Sequence, residues 1–242
     1  MQKILALFLV LGLWALPAAA DLYSDCNQDR RLDLTIQACT AIIEKRPQTD
    51  KLAPAYNHRG CAYYGKGQYA LAIEDYDRAI ALDPEFADAY NSRGVAYAES
   101  GQKERAIEDY ERAITLNPND AKAYSNRGLA YAHKGQNDRA IEDYDRAIVL
   151  DPKIANAYYN RGIAFLHKGQ YDRAIEDFDR VIALDPKSAD AYNNRGIANE
   201  ILNNLEAAEQ NYRMALALWP DMKSSTEGLA RVLIALGKGK TQ

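Results

Sequence analysis

The chain has 242 residues, and its 30 lysines and arginines stand against 34 aspartates and glutamates, a net charge of −4. This mildly acidic, mixed-sign composition argues against nonspecific nucleic-acid binding, which needs a basic patch. The 3 cysteines are too few for a disulfide-built scaffold, and no segment beyond residue 20 is apolar enough to span a membrane.

Residues 1–20 read as a secretory signal peptide. Lys3 gives a positive start, Ile4 to Leu16 is an almost wholly apolar run, and Ala18-Ala19-Ala20 offers an A-x-A cleavage site. A membrane anchor is the competing reading, but the run is short for a bilayer span and ends in small residues. Cleavage after Ala20 removes Lys3 alone among the charges, leaving 29 basic against 34 acidic residues, or −5. No cysteine sits at the cut, which argues against a lipoprotein. The mature protein is expected to be soluble and exported, periplasmic or secreted, most simply to a bacterial periplasm.

Residues 21–52 form a degenerate N-terminal unit and its linker. Thr35 to Ile43 has the apolar spacing of a helix, Pro47 stands in a closing position, and Gln48 to Leu52 reads as linker. The register of this unit follows from what comes after it. From residue 53 to 222 a block of 34 residues recurs five times without insertion: 53–86, 87–120, 121–154, 155–188 and 189–222. Tyr56, Tyr90, Tyr124, Tyr158 and Tyr192 mark one position; Gly60, Gly94, Gly128, Gly162 and Gly196 follow four residues later; Pro84, Pro118, Pro152, Pro186 and Pro220 close each block. A fixed period of this length is the signature of a solenoid, whose working part is an extended surface rather than one catalytic pocket.

Each block predicts two helices. In 87–120, Tyr90, Arg93, Gly94 and Tyr97 recur at helical spacing, Gly101-Gln102 breaks the pattern, and Ala106, Ile107, Tyr110, Ala113 and Ile114 give a second apolar face. Asn117-Pro118 then stops the second helix, because the residue before proline is pushed out of the α region. Mid-helix glycine costs about 1 kcal/mol against alanine, so its recurrence implies a packing return: Gly94 and Ala106 let the two backbones approach, and Tyr110 fills the space beside them. Glu74–Arg78, Glu108–Arg112, Glu142–Arg146 and Glu176–Arg180 are expected as i, i+4 pairs on a solvated outer face.

The spacing of Tyr90, Gly94, Tyr97, Ala106, Tyr110, Ala113 and Pro118 resembles the tetratricopeptide repeat (TPR), and all five blocks match it. The resemblance implies an all-α fold, a right-handed α-solenoid of stacked antiparallel helix pairs. The family's usual Trp is Tyr here, and its usual Leu before the glycine is Arg, at Arg59, Arg93, Arg127, Arg161 and Arg195. Residues 223–237 are expected as a C-terminal capping helix, opened by a capping box at Ser224 and Glu227 and ended by Gly237. Residues 238–242 read as a disordered tail.

Carried back into the N-terminal unit, the same register sets Cys26 opposite Cys39, each at an aromatic position of the later blocks, and predicts a Cys26–Cys39 disulfide. Closing a loop of this length contributes about 3 kcal/mol in the chain-entropy model; two buried free thiols are the alternative. Cys61 is left over as a small apolar residue of the first-helix face. The arginine ladder either offers a stripe to acidic partners or, as favoured, packs its stems between helices and pairs with Asp83, Asp151 or Asp185. His133 and His167 are neighbours in adjacent blocks, with Glu99 and Glu200 only loosely placed as further metal ligands. No catalytic, cofactor or metal motif occurs, neither G-x-S-x-G, nor a phosphate loop, nor H-E-x-x-H, nor paired C-x-x-C.

The resemblance further implies a concave groove lined by first-helix positions that vary between blocks. These are Asn57, His58, Cys61 and Tyr64; Asp88, Asn91, Ser92, Val95 and Glu99; and Lys122, Ser125, Asn126, Leu129 and His133. Asn156, Tyr159, Asn160, Ile163, Leu166 and His167 follow, then Asp190, Asn193, Asn194, Ile197 and Glu200. An apolar ladder flanked by amides suits an extended peptide. The carboxylate clamp of some TPR domains is not expected, since Asn57 and Cys61 stand where its first pair is needed. The expected function is therefore a non-enzymatic, exported scaffold or adaptor that binds a protein or peptide, without cofactor, nucleic acid or membrane span after signal cleavage. Self-assembly through the N-terminal unit and the C-terminal helix is the alternative, with an enzyme-linked role the weaker one.

Overall fold

The structure is a computed structural model that describes residues 31–45 and 49–238. Residues 1–20, expected as a signal peptide, and Cys26, Pro47 and residues 239–242 lie outside the described residues. Among those described there are twelve helices and no strand, so the fold is all-α, built of stacked helix pairs as in a solenoid. By its contacts the chain falls into two units, one up to Asp83 and one from Pro84.

In the first unit α1 (Leu32–Glu44) packs on α2 (Thr49–Gly65), and α2 on α3 (Tyr69–Leu82). Ala38, Cys39 and Ile42 of α1 meet Ala55 of α2 in one buried cluster. The stretch expected as linker is helical: α2 starts at Thr49 and contains Pro54. A proline this near the start removes one intrahelical bond and leaves the rest of the helix intact.

In the second unit the order is α4 (Ala87–Glu99), α5 (Lys103–Leu116), α6 (Ala121–His133), α7 (Asn137–Leu150), α8 (Ala155–His167), α9 (Tyr171–Leu184), α10 (Ala189–Ile201), α11 (Leu205–Leu218) and α12 (Lys223–Ala235). Each helix packs on the next, and the first helices α4, α6, α8 and α10 also touch in sequence, with α12 continuing that row. The turns follow the reading of the sequence. Gly101 takes φ +82° after α4, and the amide of Gln102 donates to the carbonyl of Tyr97 at 2.8 Å. In the fifth block the same turn is made by Asn203 at φ +60°, a conformation asparagine tolerates better than most residues. The pre-proline residues Asn117, Asp151 and Asp185 are extended, with φ −131°, −136° and −135°.

The close approach at the repeated glycines is steric necessity. A Cβ on Gly94 lies 2.7 Å from Cε1 of Tyr110 and 3.2 Å from the Ala106 carbonyl, and Gly128 stands equally close to Tyr144. Ala106, Ala113, Tyr110 and Tyr144 are buried, so neither ring has room to retreat. Gly94→Ala gains about 1 kcal/mol of helix propensity but overpacks the contact at a cost of about 1–3 kcal/mol. A net loss of stability is expected, measured as a lower urea midpoint at unchanged m-value.

The expected outer-face pairs do not hold. Among the described residues the i, i+4 ion pairs are Glu209–Arg213 and Lys223–Glu227. Arg112, Arg146 and Arg180 instead lie over the rings of Tyr90, Tyr124 and Tyr158, at 5.8, 5.9 and 5.9 Å. A guanidinium gains more over an aromatic face than from a fully solvated carboxylate.

Candidate binding surface

The arginine ladder is structural, but its partners differ from those expected. Arg59, Arg93, Arg127 and Arg161 grip Asp75, Asp109, Asp143 and Asp177 through two bonds each, the Nη2 contacts being 2.7, 2.7, 2.7 and 2.6 Å. Each aspartate lies sixteen residues on, midway along the second helix, and is nearly buried. Asp151 and Asp185 are occupied elsewhere, accepting the amides of Lys153 and Lys187 in the inter-block turns. In the fifth block the acceptor sixteen residues on is neutral, Asn211 Oδ1 at 2.7 Å from Arg195 Nε, while Arg195 Nη1 bonds the exposed Asp179 carboxylate. Arg93 also sits between the rings of Tyr90 and Tyr97, 5.6 Å from each.

The first-helix positions divide by what they meet. Val95, Glu99, Asn126, Leu129 and His133 converge on one cavity of about 370 Å³ between α4 and α6. Ala98, Lys103, Tyr110 and Ala130 complete its lining. Leu129 is 38% exposed there, on the cavity wall. Asn126 Nδ2 donates to Asn91 Oδ1 at 3.0 Å, which turns both amides along the surface between neighbouring first helices. Ser125 is buried beside them.

Further along, the surface is closed. Ile163 packs into the cluster of Phe165 and Phe178, and Tyr159 sets its ring edge-on to Phe178 at 6.0 Å. The Tyr159 hydroxyl accepts from Asn194 Nδ2 at 3.0 Å. Asn160 is half-buried and His167 exposed. Asn193 is buried and accepts the hydroxyls of Ser224 and Ser225 at 3.0 and 2.8 Å, while Ile197 packs on the Tyr212 and Val232 cluster. Asn193 and Ile197 are therefore covered by α12 and are not open groove.

In the first unit Asn57 is buried, Tyr64 faces the ring of Tyr69 at 5.5 Å, and Cys61 Sγ accepts from the Tyr76 hydroxyl at 3.5 Å. Glu200 belongs to a clasp. Arg231 grips it at 2.7 and 2.9 Å and the Tyr212 hydroxyl donates to it at 2.6 Å. The Arg231 bonds hold the Glu200 carboxyl below the usual carboxylate range, and burial pushes the Tyr212 phenol up. Among the described residues no group of three or more His, Cys, Asp or Glu gathers as metal ligands, and no helix is long and apolar enough to cross a membrane.

The sequence missed Lys103 and Tyr110 as cavity residues because both belong to the second helix of the block. Their signal was local: Lys103 opens α5 directly after the turn that follows Glu99, and Tyr110 fills the space beside Gly94.

Comparison with known proteins agrees with this architecture. The family model described as the tetratricopeptide repeat matches residues 58–121, 98–153, 125–187 and 159–223, more than half of the chain. Among solved structures the chain is similar to YrrB, "a TPR protein with an unusual peptide-binding site", at 24% identity and TM-score 0.64, over 79% of this chain and 97% of that one. It is similar to MamA at 29% identity and TM-score 0.61, over 66% and 93%. The likeness to pilF of Pseudomonas aeruginosa has TM-score 0.73 at 19% identity, over 79% and 87%. The likenesses to YrrB and pilF establish the fold alone. No curated protein matches the chain.

Proposed function

Because the chain belongs to the tetratricopeptide repeat family, whose members are protein-interaction scaffolds, we propose that it is a non-enzymatic adaptor of the bacterial periplasm that holds an extended peptide on its first-helix surface. The observation that carries the site is the α4–α6 cavity, with Leu129 38% exposed on its wall. The cavity offers an apolar floor in Val95 and Leu129, with Glu99, Lys103 and His133 at its polar edge. A peptide side chain seats on that floor while its backbone meets the polar groups around it. Ile163 and Ile197 are scaffold, since both are packed.

Export is supported by Lys3, the apolar run Ile4 to Leu16 and Ala18-Ala19-Ala20. The Cys26–Cys39 bond belongs to the same proposal. Cys39 is fully buried in α1, while Cys61 is part-buried and takes the Tyr76 hydroxyl. Such a bond forms in an oxidising compartment.

The experiment is cross-linking in intact cells, followed by identification of the captured proteins. Leu129→Asp is expected to abolish capture of the partner while leaving helicity unchanged, because its side chain already meets solvent. Ile163→Asp is expected to lose helicity instead, since it puts a charge into the Phe165 and Phe178 cluster. Capture surviving Leu129→Asp removes the cavity from the site. A second reading, self-assembly through the N-terminal unit and the C-terminal helix, is favoured by the apolar exposure of α12.

A further inference from the structure

α12 is more than a cap; it is the first helix of a sixth repeat. Ser225 stands 34 residues after Ala191, both fully buried, and Ala230 stands 34 after Gly196. The turn after α12 is also complete. Gly237 takes φ +67° where Asn203 takes +60°, and the Lys238 amide donates to the Leu233 carbonyl at 2.8 Å, as Asn204 does to Asn199 at 2.8 Å. In each complete block of this unit such a turn leads into a 14-residue second helix, α5, α7, α9 and α11, lying against the glycine face of the first. On α12 the corresponding face is Thr226, Ala230, Leu233 and Ile234, and it is open: Ile234 is 72% exposed.

The chemistry of this seat differs from that of the inner repeats. They grip the second helix by an arginine on a buried aspartate, as Arg127 grips Asp143. At the arginine position α12 has Leu229, which packs on the Tyr212 cluster and grips no carboxylate. The charged groups around the seat already hold counter-ions: Lys223 with Glu227, Arg231 with Glu200, and Lys238 with Glu209. The face therefore calls for no charge from its occupant, and two copies of it meet without setting like charges against each other. A surface that is apolar, charge-balanced and small at its centre is complementary to itself.

We infer that this face is a homodimer interface, in which α12 of one copy packs antiparallel on α12 of a second, the backbones crossing at Ala230. The pairing is two-fold, so Ile234 contributes twice and Thr226 of each copy faces the apolar end of the other. Small residues at a helix crossing allow close backbone approach, and an exposed apolar strip on a folded helix gains from being covered. The interface rests on the self-assembly reading of α12, which it narrows to a two-fold pair, and it lies apart from the α4–α6 cavity, so the peptide-binding reading stands or falls separately.

Sedimentation equilibrium of the purified protein over a wide concentration range tests it. A reversible monomer–dimer equilibrium is expected, and Ile234→Glu is expected to weaken it by about tenfold or more at unchanged helicity and melting temperature. Leu129→Asp leaves the dimer intact. Ala230→Cys in a Cys61→Ser background is expected to yield a disulfide-linked dimer on mild oxidation, which reports the crossing point directly. A mass that stays monomeric at every concentration overturns the inference, as does a dimer that Ile234→Glu leaves equally tight. Growth beyond the dimer indicates end-to-end stacking and overturns it too, and failure of Ala230→Cys to cross-link a confirmed dimer overturns the antiparallel crossing.

Discussion

Arg161→Leu is expected to destabilise the fold by about 3–5 kcal/mol at neutral pH, the cost of stranding a buried carboxylate. Arg161 holds Asp177 by two bonds and Asp145 at 2.5 Å. The Asp177 side chain is 4% exposed and that of Arg161 18%, so water makes up little of what the substitution removes. Burial already raises the Asp177 carboxyl above its ordinary value, with Arg161 holding it back; without the arginine it rises further. The sign for pH follows. A carboxyl whose folded-state pKa lies above its unfolded value binds more protons in the folded chain, so stability falls as pH rises through the window between the two. The deficit of Arg161→Leu is therefore full at pH 7 and shrinks as the pH drops toward about 4, the ordinary aspartate value, because Asp177 in the folded variant takes up its proton above that pH. Urea midpoints of both proteins at the two pH values measure it. Arg195→Leu is the internal control. Its Nε partner Asn211 is neutral and already donates to the Ala207 carbonyl at 2.7 Å, and its carboxylate partner Asp179 is more than half exposed to water, so the loss is expected to be smaller and less dependent on pH. Equal losses at both pH values for Arg161→Leu contradict the stranded-charge account.

The same ladder shows where the sequence was legible and where it was not. Its structural role could be read, because an arginine recurring every 34 residues beside an invariant glycine has to lie between helices. Its partner could not. Each of the first four blocks carries an aspartate or asparagine at the end of the second helix, where the fifth has Trp219, and every block carries an aspartate or asparagine in its middle. Composition and spacing treat the two alike. The chain geometry separates them: the terminal residue turns its carboxylate onto the amide two residues on, as Asp151 does with Lys153, and the middle one faces the first helix across the pair. The close contact of Gly94 with Tyr110 was legible because only a packing constraint explains a glycine kept in mid-helix. The groove was half legible. Its positions lie on the first helices, but amides that look solvated in the sequence bond across the repeat interface, Asn126 to Asn91 and Asn194 to Tyr159, each 35 residues apart. That spacing, one more than the repeat, is the available signal. Nothing in a single repeat shows that Tyr159 and Phe178 meet and close the surface at α8, since ring size matters only once the helices are placed.

Tyr144 separates packing from polarity within one side chain. The ring is fully buried, lies against Gly128, and packs with Ala140, Ala147 and Ala157. Tyr144→Ala therefore opens a cavity in the middle of the second unit and is expected to cost about 3–5 kcal/mol. The hydroxyl is a different matter. It has no hydrogen-bond partner among the described residues, and burial pushes the phenol up, so it stays a protonated and unmet donor. Leaving such a group unpaired costs about 1–3 kcal/mol, so Tyr144→Phe is expected to be neutral or stabilising. Position 178 makes the same exchange naturally, with a fully buried phenylalanine against Gly162. Tyr212 provides the opposite case, because its hydroxyl donates to Glu200 at 2.6 Å and supports the Arg231 clasp on α12. Tyr212→Phe is expected to destabilise where Tyr144→Phe does not, and denaturant curves on the three variants decide it. A Tyr144→Phe loss as large as that of Tyr212→Phe means that the Tyr144 hydroxyl is held in solution. The repeat then conserves the tyrosine for a bond, and the ring alone does not explain the position.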